Sequence, residues 1–151
     1  MPFKFLENVS LADVAFEASG KNVEYLFSAA GEAVVATQIK NYKSLKPKVR
    51  KRLKLKAESI EQLLFKFLDE LVFLKDKDLL LFNKFSGMKI RQGEGRRKGK
   101  GGEFSLVCTA IGEKLDTKRH ISLVDVKAVT MHLFEVKQAA GRWKAKVVLD
   151  V

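Results

Sequence analysis

Hydrophobic and polar positions alternate along this chain with two periods. From Val23, apolar residues fall at Leu26, Phe27, Ala30, Ala33 and Val34, with Thr37 in phase, which is one face of a helix at 3.6 residues per turn. Asn22 stands where an N-cap is needed. A second helical stretch opens on Ser59-Ile60-Glu61-Gln62, a serine followed three residues later by glutamine, the spacing of a capping box. Its stripe runs through Ile60, Leu63, Leu64, Phe67, Leu68, Leu71 and Val72. Elsewhere the period is two. Residues Phe3 to Leu6 and Asp13 to Ser19 predict a first pair of strands, the second with Val14, Phe16 and Ala18 on one face. Val49 to Ala57 predicts a strand after the first helix. Phe82 to Gln92 and Glu103 to Gly112 flank a glycine-rich tip as a hairpin. Asp125 to Lys137 and Arg142 to Val151 form another across Gln138-Ala139-Ala140-Gly141. Paired strands with helices segregated between them predict an α+β sandwich, two amphipathic helices on one face of a mainly antiparallel sheet. No repeat or linker interrupts the pattern, so residues 1–151 read as one domain.

Composition narrows the function classes. A chain of 151 residues that is 46% hydrophobic can bury a single core. No apolar run reaches the about 20 residues that span a bilayer, and the opening MPFKFLENVSLADVAF alternates like a strand instead of a leader. The lone cysteine, Cys108, has no intramolecular disulfide partner, which suits a reducing cytoplasm. With one cysteine and two histidines, a Cys/His-rich zinc site is excluded. The formal charge of +11 favours polyanionic company: RNA, an acidic protein surface or phosphates.

Two segments concentrate that charge. Lys and Arg occur nine times between Lys40 and Lys56, with no acidic residue among them. In the strand part, Arg50, Arg52, Lys54 and Lys56 share a face, with Leu53, Leu55 and Ala57 on the other. Same-face residues of a strand repeat at about 6.6 Å, close to the phosphate step of an extended nucleic-acid strand, so the face is a candidate phosphate track. The competing reading is a solvated face, since no aromatic residues are interleaved for base stacking. The second segment, GEGRRKGKGG at Gly93–Gly102, carries Arg96, Arg97 and Lys98. It matches neither phosphate-loop spacing and lies between strands, so it reads as a basic hairpin tip open to RNA or an acidic partner.

No enzyme centre assembles. Cys108 shares a face with Phe104, Leu106 and Ala110 and reads as a packed core residue. His120 lies in a loop beside Arg119, and His132 lies in the strand VKAVTMHLFEVK. Lys127 and His132 are an odd number of residues apart, on opposite faces unless a bulge intervenes. A nucleophile with its base and orienting group is not found, which predicts a non-enzyme.

The end of the chain is different. Trp143, Ala145, Val147, Leu149 and Val151 share one face of the last strand, leaving Asp150 with Lys144, Lys146 and Val148 on the other. Asp13 likewise lies opposite the apolar set of its strand. If these strands are neighbours, two side-chain carboxylates and the terminal carboxylate converge, and such a group needs neutralising. A lysine could do so, or a hard divalent cation, calcium more naturally than magnesium in an irregular cage; the alternative is carboxylates scattered over the surface.

The closing 40 residues, GEKLDTKRHISLVDVKAVTMHLFEVKQAAGRWKAKVVLDV, resemble the C-terminal block of the archease family in RH, VKAVT-x-H, the short turn, W-x-A-x-V-V and the terminal Asp plus one residue. LADVAFEASGKNVEYLFSAAGEAV and IEQLLFKFLDELVFLKDKDLLLF resemble the family's opening and its second helix with the following strand. Archeases are accessory proteins of the RtcB-type tRNA-splicing RNA ligase. The resemblance therefore implies an activator that helps the ligase take up GMP from GTP and turn over repeatedly. It implies a calcium-type metal site at Asp13, Asp150 and Val151, with Lys127 and His132 at the ligase interface or supporting the site. The chain has Ser10-Leu11-Ala12-Asp13 where the family usually has His-Thr-Ala-Asp, and Met131 where an aromatic is common. A cytoplasmic monomer is expected. The rival expectation is a basic RNA-binding or chaperone-like module acting through Arg50, Arg52, Lys54 and Lys56.

Overall fold

A computed structural model describes residues 2–7, 12–95 and 101–151. Among them the chain runs β1 (Phe3–Leu6), β2 (Asp13–Gly20), α1 (Val23–Gln38), a 3-10 turn (Tyr42–Ser44), β3 (Val49–Ala57), α2 (Ile60–Asp78), β4 (Leu80–Gln92), β5 (Phe104–Lys114), β6 (Ala128–Ala139) and β7 (Arg142–Asp150). The helix starts follow their caps. The Asn22 side chain accepts the Tyr25 N–H at 2.9 Å, and the Ser59 hydroxyl accepts that of Gln62 at 3.2 Å. The Gln62 side chain in turn accepts the Glu58 N–H at 3.3 Å, one residue earlier than a reciprocal capping box would place it.

The α+β class holds, with a division the alternation could not show. The strands form two antiparallel sheets, one ordered β1-β2-β7-β6 and the other β3-β5-β4. Both helices contact strands of both sheets. The reason lies in α1, which buries Leu26, Phe27, Ala29, Ala30, Gly31, Ala33, Val34 and Val35, apolar on nearly every side. A helix of that kind needs cover on more than one face. Gly31 permits the approach of β4: a Cβ there would lie 2.6 Å from the Phe85 ring. Phe27, Phe67 and Phe85 continue that contact through the centre of the core.

Two strands are irregular. Strand β4 shifts register against β5 between Phe82 and Lys84 and again between Ser86 and Lys89, the second at Gly87 with φ +61°. Strand β6 pairs regularly with β7 as far as Thr130 opposite Val148, then resumes at Glu135 opposite Lys146, so residues 131–134 bulge. The β6–β7 hairpin turns through Ala140 and Gly141, both at positive φ, as a two-residue turn matched to strand twist requires.

Candidate functional site

Strands β2 and β7 are the two inner strands of their sheet, and Asp13 opens one where Asp150 closes the other. The register sets the two aspartates directly opposite each other. One residue further out, the Val151 N–H donates to the Ala12 carbonyl at 2.9 Å. Residue pairs along an antiparallel ladder alternate between hydrogen-bonded and non-hydrogen-bonded, so Asp13 and Asp150 form a non-hydrogen-bonded pair. Their Cβ atoms are then about 4.5–5.5 Å apart on one face. Both residues are half-buried. Next along that face, Ala15 and Val148 are buried, so the carboxylates sit beside a covered shoulder of the sheet.

The start of β6 completes this corner. Ala128 lies opposite Asp150 on the other side of β7, and the Lys127 N–H donates to the Asp150 main-chain carbonyl at 2.8 Å. Like charges directly opposite in a sheet repel, and a cation between them removes that cost. The oxygen donors at hand are two carboxylates and a main-chain oxygen of Val151, a hard set of the kind calcium takes. Among the described residues no three His, Cys, Asp or Glu side chains cluster to hold a metal. An ion held by two carboxylates and one main-chain oxygen would take the rest of its ligands from water or a second molecule.

A buried lysine anchors the segment that leads into this corner. Lys75, in the last turn of α2, donates from its ammonium to the Asp125 and Asp76 carboxylates and, at 2.9 Å, to the Val126 carbonyl. Burial pulls the Lys75 pKa down, but these hydrogen bonds and charges outweigh it and hold it above the ordinary 10.5. Helix α2 is thereby tied to the segment that carries Lys127 to Asp150. Sequence reasoning passed over Lys75, although it extends the stripe Leu64, Leu68, Leu71 by one helical turn.

Lys127 and His132 are both exposed. The bulge at 131–134, with Leu133 at φ +55°, intervenes between them, so parity no longer assigns them to opposite faces. Lys127 is joined to the carboxylate corner through its backbone; His132 lies on the bulge of an edge strand.

The RH dipeptide has a structural task. The Glu113 carboxylate is 2% exposed and accepts from the Arg119 guanidinium and, at 2.6 Å, from the Lys46 N–H. His120 Nδ1 accepts the Asp116 N–H at 2.9 Å, which leaves the proton on Nε2, 3.4 Å from Glu113 Oε2. Burial pushes the Glu113 pKa up, but hydrogen bonds from Arg119 and the Lys46 N–H and the Arg119 charge bring it down to about 2. One buried carboxylate thus fastens the loop before β3 and the turn after β5 to each other. Cys108 is buried, its thiol pushed up to about 11 by burial although Arg52 opposes this, as suits a core residue.

Arg50, Arg52, Lys54 and Lys56 are all exposed on β3, an edge strand of the second sheet. Arg96, Arg97 and Lys98 lie outside the described residues.

The fold is that of a small α+β protein with two aspartates paired across the end of a sheet. The sequence pattern of the Archease protein family (MTH1598/TM1083) matches residues 3–151. Protein archease of Methanosarcina mazei is 34% identical over 149 residues, covering 99% of this chain and 95% of that protein. Protein archease of Pyrococcus furiosus is 33% identical, covering 93% of each. The solution structure of Methanobacterium thermoautotrophicum protein 1598 superposes with a TM-score of 0.76 at 31% identity, covering 99% of both chains. The chain belongs to the archease family. The crystal structure of a Thermotoga maritima archease, described as a possible chaperone, shares the fold with a TM-score of 0.59 at 22% identity over 94% of this chain and 93% of that one. No helix among the described residues is long and apolar enough to cross a membrane.

Proposed function

We propose that this protein is a non-enzymatic activator of an RtcB-type RNA ligase in tRNA splicing or RNA repair, acting as a cytoplasmic monomer that speeds ligase guanylylation and sustains turnover. The observation that carries the reading is the cross-strand pairing of Asp13 with Asp150 beside Val151. Strand pairing holds the backbones of the two aspartates in this register, and ligands placed in advance lose less entropy on binding. Asp13, Asp150 and a main-chain oxygen of Val151 would hold a divalent ion, with calcium preferred on the donor set. Bound there, the ion would supply positive charge for nucleotide phosphate oxygens. The protein's own contribution is placement: Lys75 fixes Val126, and Lys127 is fixed in turn against Asp150. Lys127, and His132 on the bulge, are exposed to meet the ligase.

The test is the rate at which a cognate ligase becomes guanylylated from GTP, with and without this protein. Wild type is expected to accelerate it, and folded Asp13→Ala and Asp150→Ala variants are expected to lose at least tenfold of that acceleration. Stimulation by folded Asp150→Ala at the wild-type level would refute the carboxylate reading.

A further inference from the structure

The outer face of the second sheet is more basic than the β3 alternation alone indicates. Residues directly opposite each other in an antiparallel sheet share a face. Across the central strand β5 the register gives four rows: Arg50–Ile111–Lys84, Arg52–Thr109–Ser86, Lys54–Val107–Lys89 and Lys56–Ser105–Arg91. Lys84 and Lys89 are five residues apart and would fall on opposite faces of a regular strand. The shift at Gly87 turns both outward. All seven basic residues are exposed, and none of them is in an ion pair among the described residues. No acidic side chain occupies any of the four rows.

We infer that this face binds the sugar-phosphate backbone of single-stranded RNA, with Arg50, Arg52, Lys54 and Lys56 along one side and Lys84, Lys89 and Arg91 along the other. On β3 the basic side chains recur about every 6.6 Å, and the β4 line stands about 9.5 Å away across β5. An even line of four cations on β3, facing three on β4 across a neutral floor, suits a polymer of evenly stepped anions. An acidic protein fits less well, because a protein interface needs a desolvated apolar or aromatic anchor. The exposed large apolar residues, among them Phe5, Tyr25, Phe73, Ile121 and Met131, all lie on other elements. Ser86, Ser105, Val107 and Thr109 offer no ring for stacking, so contact is to the backbone and independent of base sequence.

Binding of a fluorescein-labelled 15-nucleotide oligouridylate, followed by anisotropy from 50 to 200 mM salt, tests this. No ligase, nucleotide or divalent metal is present, so the outcome does not depend on the carboxylate reading. Wild type is expected to bind with a steep salt dependence. Lys54→Gln/Lys89→Gln is expected to bind at least tenfold more weakly at 50 mM. Its log–log salt slope should be shallower by about 1.4, at about 0.7 for each phosphate of a single strand that is no longer neutralised. Lys77→Gln/Lys118→Gln removes the same charge from exposed sites elsewhere and is expected to bind like wild type. Equal weakening by both pairs would reduce the effect to net charge and overturn the proposal. So would wild-type affinity in Lys54→Gln/Lys89→Gln, tighter binding of a 15-base-pair RNA duplex, or equal displacement by polyglutamate.

Discussion

Two charged regions of opposite sign lie on different sheets and are made in different ways. At the acidic corner, residues from the two ends of the chain meet because β2 and β7 are neighbours; the charge is compact, half-buried and tied to the core through Lys75. On the basic face, charge comes from consecutive alternation along β3 and from a bulge in β4, and it is spread out and exposed. On the readings proposed above, the first would hold one small cation in fixed geometry, and the second would make many interchangeable contacts along a chain. Substitutions at the corner should therefore remove function in a single step, and substitutions on the face should reduce it by degrees.

The largest effect that sharpens this contrast is at Asp150. Asp150→Ala should eliminate most ligase stimulation while leaving thermal stability within about 1 kcal/mol of wild type without metal, because it also removes a like-charge cross-strand pair. Stimulation rates and denaturant midpoints, measured on one preparation, check both halves.

Next in size are the buried supports. Glu113→Gln should destabilise the fold by about 2 kcal/mol at pH 7, because the Lys46 N–H and Arg119, which keeps Asp116, lose a buried charged acceptor. The pH dependence has a definite sign. A carboxyl held near 2 when folded, against an ordinary 4.5, stabilises the protein fully above about pH 5. That contribution drains away as pH falls from about 4.5 towards 2. Urea midpoints between pH 7 and pH 3 should fall more steeply for wild type than for Glu113→Gln. Lys75→Met should cost about 2–3 kcal/mol, by freeing the Val126 carbonyl and two carboxylates from their donor. It should also weaken calcium binding without touching a proposed ligand, which calorimetry can read.

The smallest effect lies far from both charged regions. Ala140 holds φ +53° in the β6–β7 turn. Ala140→Gly or Ala140→Asn should raise stability by about 0.5–1 kcal/mol with no change in ligase stimulation or RNA binding. Thermal melts suffice to measure it.

What was legible in the sequence follows the range of the interactions involved. Helix starts at Asn22 and Ser59, and β3 from Val49 to Ala57, were readable because caps and alternation are local. Parity also placed Asp13 and Asp150 off the apolar faces of their strands, and only their adjacency had to come from the fold. The split into two sheets was not readable, since the choice of strand partner is not written in any one segment. Lys84 and Lys89 escaped because their odd spacing hides a shared face until the shift at Gly87 is known. Lys75 could have been found as a lysine on an apolar stripe. Glu113 gave no local sign of its burial, because its partners come from two separate loops.

Calcium titration calorimetry on the metal-stripped protein is the direct test of a divalent-cation site at Asp13 and Asp150. The account predicts one binding event in wild type, lost in Asp13→Asn and in Asp150→Asn while both variants keep their fold. Calcium binding of wild-type strength in folded Asp150→Asn, or none in wild type, would contradict it.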